Sequence, residues 1–437
     1  MLTYYFRLAI LSIKRNPVLS SLMIAAIGLG IGASMTTITV NYAMSGNPIP
    51  HKSEQLFAVQ VDSWDPNNPF REPNIAPDQL TYLDAMALMR NAPAKRQAAM
   101  TKVFAVVEPK GDEALPFDAT GRATFTDFFA MFETPFLYGN SWGKDADNNN
   151  EMVTVLSKQT NERLFGGENS VGQTITIGGK VYNIVGVLDG YRPTPKYYDV
   201  TNGAFNDPED YYIPFNLVAA LQLNRAGNTN CWKPTAEDGF QGFLNSECVW
   251  IQFWAELPDK ETQDNYLAFL NNYAEQQKQL GRFPRPLNNH IQNVMQWLEL
   301  QEVVSDNARV IMWLSIMFLL VCLLNTIGLL LTKFSTKSAE IGLRRAVGAS
   351  KKTLFAQHLL ESTLIGIAGG LLGLLLAYGG LHGVKALYGS SVEHLAKLDT
   401  NMFFVALGLA ISSALLAAIY PTWRACNIQP ALQLKTQ

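Results

Sequence analysis

Residues that could do chemistry are few in this sequence, and their spacing defeats most of the usual reactions. The five histidines, His51, His290, His358, His382 and His394, are scattered. No H-E-x-x-H and no pair of Cys-x-x-Cys occurs, so the common zinc spacings are missing. No G-x-S-x-G occurs to lift a serine onto a strand-to-helix turn. No G-x-x-x-x-G-K-[ST] occurs, so these 437 residues contain no phosphate-cradling loop. Gly28, Gly30 and Gly32 have a dinucleotide-like spacing but follow no strand. Close helix packing explains them better. Asp145-x-Asp147-x-Asn149 begins like a calcium loop, yet Asn150 stands where glycine is needed and Leu156 where a bidentate Glu is needed. The expectation is a protein that is not itself an enzyme and holds no metal or cofactor.

What remains is charge and small residues in apolar surroundings. Glu361 lies about three turns into an otherwise uncharged helix. A carboxylate there is a functional candidate by default, and a structural ion pair with Arg424 is the preferred expectation. Gly366, Gly369, Gly370 and Gly373 form two overlapping G-x-x-x-G pairs. They let another helix approach closely, either within the chain or across a dimer seam. Cys231 and Cys248 are far enough apart to bridge, but spacing alone does not require it.

These residues must be positioned by four long uncharged runs. No charge occurs between Arg15 and His51, and 23 uncharged residues separate Arg309 from Lys333. Residues 353–384 hold only Glu361 and two histidines, and 24 uncharged residues separate Asp399 from Arg424. Each run reaches the roughly 20 residues that a membrane-spanning helix needs. The first is too long for the apolar core of a cleaved signal peptide, so it reads as a retained helix. Net charge −3, 48% hydrophobic residues and mean hydropathy +0.03 therefore average two unlike parts. The balance gives no reason to expect nucleic acid as a partner.

Orientation follows from Lys and Arg. The N-terminal segment, the loop after the second run and the C-terminal segment together hold eleven basic residues against Glu340, a net +10. They are expected in the cytoplasm. Residues 45–309 carry a net −12 and are expected outside. The resulting division is a cytoplasmic N-terminus 1–17, helix 18–44, external domain 45–308, helix 309–332, cytoplasmic loop 333–352, helix 353–378, external loop 379–400, helix 401–423 and cytoplasmic C-terminus 424–437. The fold class is an α-helical membrane protein whose large α+β external domain is inserted between helices 1 and 2.

Within that domain, strands are expected at 55–62, 102–108, 152–156, 174–177, 180–187 and 249–257, the last with one buried face. Gly178-Gly179 marks a hairpin turn. Helices are expected at 78–89, at 127–132 capped by Thr126, from the Ser157 cap to Phe165, and near 260–280. Residues 189–212 read as loop. No Gly or Pro occurs between Asn288 and Thr326, so a single stalk helix is expected to run into the second span. On the cytoplasmic side, Ala339, Leu343, Ala346 and Val347 make one apolar stripe on a short helix. Glu340 and Arg344 are an i, i+4 pair, Gly348 can end the helix, and Ser350 can cap the next. This helix is either an inert interfacial element or a contact lever for a cytoplasmic partner.

The run Glu340-Ile341-Gly342-Leu343-Arg344-Arg345-Ala346-Val347-Gly348-Ala349, with Glu361 and the glycine-rich third helix, resembles the FtsX-like permease domain. Arg15-Asn16-Pro17, Tyr420-Pro421-Thr422-Trp423-Arg424-Ala425 and Gln429-Pro430-Ala431-Leu432 resemble the two ends of the same permeases. Asp127-Phe128-Phe129, Arg163-Leu164-Phe165-Gly166, Val171-Gly172-Gln173-Thr174-Ile175 and Tyr182-Asn183-Ile184-Val185-Gly186-Val187 resemble the MacB-type periplasmic core domain. Residues 191–250 match no motif. The resemblance implies a permease subunit of a MacB-like (type VII) ABC transporter in a bacterial inner membrane. It implies Glu340, Ile341, Arg344, Arg345, Gly348 and Ala349 as the ATPase-coupling helix, and the second-span extension as a stalk arm. Expected partners are a separate ABC ATPase that binds ATP and Mg, a second permease protomer, membrane lipids, and a periplasmic adaptor with an outer-membrane channel. The expected function is mechanotransmission and efflux. FtsX-like signalling and Lol-like lipoprotein extraction are the alternatives.

The charge asymmetry is testable. An Asp145→Cys variant in intact cells is expected to react with a membrane-impermeant maleimide. Reaction only after permeabilisation would reverse the orientation.

Overall fold

The computed structural model describes residues 2–109, 115–304, 306–388 and 400–427. Part of the expected loop 379–400 and the segment Gln429-Pro430-Ala431-Leu432 lie outside them. The chain forms two units, 1–45 with 304–437, and 46–303.

Helix α1 (Leu2–Arg15) precedes α2 (Pro17–Ser45). Pro17 suits a helix start, where its missing N–H would be unpaired anyway. The second unit then runs β1 (Leu56–Gln60), α3 (Tyr82–Asn91), β2 (Arg96–Glu108), β3 (Phe117–Thr124), α4 (Asp127–Met131) and β4 (Phe136–Gly139). It continues through α5 (Lys144–Asn149), β5 (Val153–Leu156), α6 (Lys158–Phe165), β6 (Thr174–Ile177), β7 (Lys180–Leu188) and β8 (Tyr211–Pro214). Last come α7 (Leu217–Leu221), α8 (Gly239–Leu244), β9 (Gln252–Glu256), α9 (Lys260–Gln279), β10 (His290–Asn293) and α10 (Val294–Leu300). The first unit resumes with α11 (Asp306–Thr336), α12 (Ser338–Ala346), α13 (Lys351–Tyr388) and α14 (Thr400–Cys426).

The ten strands form one sheet in the order β10-β1-β9-β2-β3-β8-β5-β7-β4, with β6 pairing β2 and β7. Pairings β3–β8 and β5–β7 are parallel. Gly178 and Gly179 turn the β6–β7 hairpin at φ +57° and +70°, as a type I′ turn requires. Ser157 accepts the Thr160 N–H at 3.1 Å and caps α6. Thr126 does not cap α4 through its side chain. Its hydroxyl donates to the Trp142 carbonyl instead.

Strand β9 departs from its expected pattern, because every residue in it is buried. It lies between β1 and β2, and the sheet is covered on both faces. Phe253 and Ala255 enter one core with Val103 and Ile213. Trp254 enters the other with Phe132 and Tyr197. Alternation predicts which face a residue takes, but it cannot tell that the second face is also dry.

The segment 189–212 is more than loop. It contains a 3₁₀ turn at Tyr197–Asn202 and the first residues of β8. Arg122 of β3 holds it from the centre of the sheet. The Arg122 guanidinium donates to Asp199 and to Glu209, the latter through Nε at 2.9 Å. Lys196 reaches Glu209 at 3.3 Å, and the Tyr198 and Tyr212 hydroxyls donate to the same carboxylate. Burial pushes the Glu209 carboxyl up, but the Arg122 and Lys196 charges outweigh it and hold it well below the usual carboxylate range. Cys231 and Cys248 are joined by a disulfide, with Cα atoms 4.2 Å apart.

The expected stalk is interrupted. Residues 290–293 pair with β1 in the sheet. Asn293 and Gln296 then form a capping box that starts α10, and Glu302 follows at φ +49°. Absence of Gly and Pro allows a continuous helix, but strand pairing and a reciprocal cap decide otherwise here.

Among the described residues, four helices are long and apolar enough to cross a membrane: Pro17–Ser45, Ala308–Thr336, Lys351–Gly383 and Phe403–Cys426. The third helix extends past the expected residue 378 to Tyr388. Gly366, Gly369, Gly370 and Gly373 of α13 face helices of this same chain. A Cβ on Gly366 or Gly370 would come within 2.5 and 2.7 Å of Ala414 and Ala410 on α14. One on Gly369 or Gly373 would meet Ile27 or Ile31 on α2 at 2.8 Å. Gly28 and Gly32 return the close approach against Leu372 and Leu376.

Removing Arg122 leaves two buried carboxylates without their main counter-charge. Arg122→Ala is expected to cost about 3–5 kcal/mol of folding stability, read as a lowered thermal midpoint by tryptophan fluorescence. A midpoint equal to wild type would mean that the cluster is not what holds residues 189–212.

Candidate functional site

The site grows from the short helix α12. Glu340 and Arg344 pair at 2.5 Å, four residues apart on one face. Arg344 also donates to Gln357 of α13 at 3.3 Å, and Arg345 donates to the Cys426 carbonyl of α14 at 3.2 Å. Ile341 is buried. Gly348 ends the helix at φ +103°, and the Ala349 N–H closes on the Arg344 carbonyl at 3.0 Å. Ser350 then accepts the Thr353 N–H at 3.1 Å and caps α13. The helix is thus tied by its arginines to α13 and α14.

The described residues of its apolar stripe are exposed. Leu343 is 56% exposed and Val347 81% exposed. Ala346 is also exposed. Sequence periodicity identifies a stripe without saying what covers it. Here Ile341, outside that stripe, makes the inward contact.

Glu361 lies beneath this helix and does not pair with Arg424, which is exposed. Its partner is Lys333 of α11, at 2.5 Å. Both are buried, Lys333 fully and Glu361 to 3% exposure. The Ser12 hydroxyl of α1 donates to the same carboxylate oxygen, and the Lys337 ammonium donates to Ser12. Lys333 also reaches the Ser20 hydroxyl of α2 at 3.4 Å. The His358 ring packs edge-on to Phe334, with Nδ1 at 3.6 Å from Glu361, too far for a hydrogen bond. Burial draws the Lys337 ammonium below its ordinary range, and Glu361 offsets this only in part. A cavity of about 320 Å³ lies over the cluster, lined by α1 from Leu8 to Arg15, by Lys337, Glu340 and Arg344, and by α13 from Leu354 to Glu361.

Arg424 was the wrong partner for a reason of depth. It follows the apolar run directly, and its side chain is exposed. Lys333 looks like the first residue of a cytoplasmic loop, but α11 continues through it to Thr336. Helix α1 and Ser12 are hard to read in the sequence, because the sixteen residues before a span look like a tail. The available signal was Ala9 and Ser12, one turn apart among larger residues and both buried.

The cluster predicts a paired rescue. Glu361→Gln leaves Lys333 charged and buried, at a cost of about 3–5 kcal/mol. Glu361→Gln with Lys333→Met removes both charges and is expected to recover most of that loss. Cys322 and Cys426 are free and buried, so a thiol-reactive fluorophore reports the melting of detergent-solubilised protein. Equal melts for the single and double variants would refute the pairing.

The family described as MacB-like periplasmic core domain matches residues 20–267, and that described as FtsX-like permease C-terminal matches residues 312–430. The chain is 22% identical over 389 residues to the macrolide export ATP-binding/permease protein MacB of Syntrophobacter fumaroxidans, covering 82% of this chain and 52% of that one. It therefore spans about half the length of that relative. It is also 22% identical over 406 residues to the uncharacterized ABC transporter permease YknZ of Bacillus subtilis, covering 88% and 87% of the two chains. The crystal structure of the periplasmic region of MacB from Actinobacillus actinomycetemcomitans aligns at a TM-score of 0.37 and 15% identity, over 58% of this chain and 95% of that one.

Proposed function

This chain belongs to the MacB-like (type VII) ABC permease family, and from that premise we propose that it is a membrane subunit driven by an ABC ATPase on a separate chain. The observation that carries the reading is α12. It is fixed to α13 and α14 through Arg344 and Arg345, yet leaves Leu343 and Val347 in the open. A helix braced on one side and apolar on the other is suited to receive a partner and pass its displacement inward. The next groups inward are Lys337, Ser12, Glu361 and Lys333, so a shift of α12 would be felt on α1, α11 and α13 together.

The sequence holds no phosphate-binding loop, so ATP and Mg would be bound by that partner. ATP-driven closure of two ATPase subunits on two permease protomers would move the helices, and α2 and α11 are the two segments that continue into residues 46–303. In this reading the protein sits in a bacterial inner membrane with cytoplasmic termini. It uses mechanotransmission to move a substrate taken from the periplasm or the outer leaflet. A periplasmic adaptor and an outer-membrane channel would complete an export route.

Leu343→Asp with Val347→Asp disturbs the exposed stripe and leaves the Arg344 and Arg345 contacts in place. With the ATPase that co-purifies in mild detergent, this variant is expected to lower permease-stimulated ATP hydrolysis roughly ten-fold, a loss of about 1.4 kcal/mol of coupling. Its melt should be unchanged. Full stimulation by the variant would sink the proposal.

A further inference from the structure

The external domain has a cleft that the coupling site does not use. It opens between α3 and the segment 125–148, with a volume of about 630 Å³, within the usual range for small-molecule sites. Its apolar lining is Leu83, Met86, Met89 and Phe125, all half-buried. Methionine adapts its shape to irregular apolar ligands at low cost. Around this floor stand Arg90, Lys95, Arg96 and Lys144.

The charges do not balance. The lining has those four cations and two carboxylates, Asp127 and Asp147. Asp147 is buried and occupied, accepting from the Trp142 indole at 2.8 Å and from the Thr126 N–H at 2.9 Å. Asp127 meets Lys144 only at 3.9 Å. Lys95 and Arg96 share one carboxylate, Glu256, at 2.8 and 2.9 Å. Lys52 draws on that same carboxylate at 3.4 Å and on Glu133 at 3.6 Å, so Lys95 and Arg96 share Glu256 with a third cation. An apolar floor inside a rim of surplus positive charge fits a molecule with an apolar body and an anionic end.

We propose that this cleft is a binding site for a single-chain anionic amphiphile of the fatty-carboxylate type, its chain on Met86, Met89 and Phe125 and its carboxylate among Arg90, Lys95, Arg96 and Lys144. That the ligand is transported cargo rests on the permease reading; that it binds does not.

The test uses the full chain in nanodiscs of zwitterionic lipid, without ATPase. The probes are a diazirine-bearing dodecanoate and the matching dodecyl-trimethylammonium. Photolabelling is mapped by mass spectrometry, with lipid-facing α11 as internal standard. The carboxylate probe is expected to label peptides holding Met86, Met89 or Phe125 at least about five-fold more than the cationic probe. Arg90→Glu with Lys144→Glu is expected to reduce that labelling about five-fold; neither residue holds Glu256. Met86→Trp, which fills the cleft and keeps its charge, is expected to reduce it likewise. Equal labelling by the two probes, label confined to the membrane helices, or undiminished label in both variants would overturn the proposal. No ATPase takes part, so a failure here is distinct from a failure of coupling at α12.

Discussion

The Glu361 carboxylate is almost fully buried, and one end of the bundle is arranged around that constraint. An isolated charge there would cost many kcal/mol. Lys333 supplies the counter-charge from α11 and Ser12 a hydrogen bond from α1, while Lys337 and Ser20 extend the network to the α12 connector and to α2. Each partner comes from a different segment, so the acid is satisfied only when those segments are together. A buried pair of this kind adds little net stability over an apolar pair. What it adds is a requirement of register. The helices cannot slide or rotate far without exposing a charge to hydrocarbon.

The small residues of the bundle answer the same requirement in another way. Gly366 and Gly370 open one side of α13 to α14, and Gly369 and Gly373 open the other side to α2. Lipid gives no hydrophobic reward for helix contact, so close packing and polar contacts must hold the helices. The glycines allow the packing and Glu361 supplies the polar lock. Above them α12 stands braced by Arg344 and Arg345, with its apolar stripe outward. Bracing and exposure together set α12 apart from a helix folded into its own core.

The external domain follows the same logic in a water-soluble setting. Its sheet is dry on both faces, and Arg122 stands at its centre with no exposed surface. The charge is stable there because Asp199 and Glu209 accept from it while Tyr198 and Tyr212 donate to Glu209, all from a segment that looks irregular in sequence. That segment is rich in Pro, Asp and Tyr, which reads as solvent-exposed loop. Asp199 and Glu209 instead accept from a buried guanidinium, and the tyrosine hydroxyls donate to Glu209. A polar residue whose partner lies far away in the chain carries the same local signature as one that faces water.

The sequence by itself determined what depends on short-range pattern. Uncharged runs of spanning length set four helices, and the distribution of Lys and Arg set an expected orientation. Alternation, Gly178-Gly179 and the Ser157 and Ser350 caps located strands, a hairpin and helix starts, and the Glu340–Arg344 spacing located α12. These features are local because backbone hydrogen bonds and side-chain neighbours a few residues apart create them. Tertiary structure alone decided the partners. Lys333 rather than Arg424 meets Glu361, Gly366, Gly369, Gly370 and Gly373 face this chain's own helices, Cys231 and Cys248 are joined, and the stalk breaks where residues 290–293 enter the sheet. The reason is physical. Ser12 and Glu361 lie 349 residues apart, and whether two such groups meet depends on the depth and rotation of separate helices, which no local spacing records.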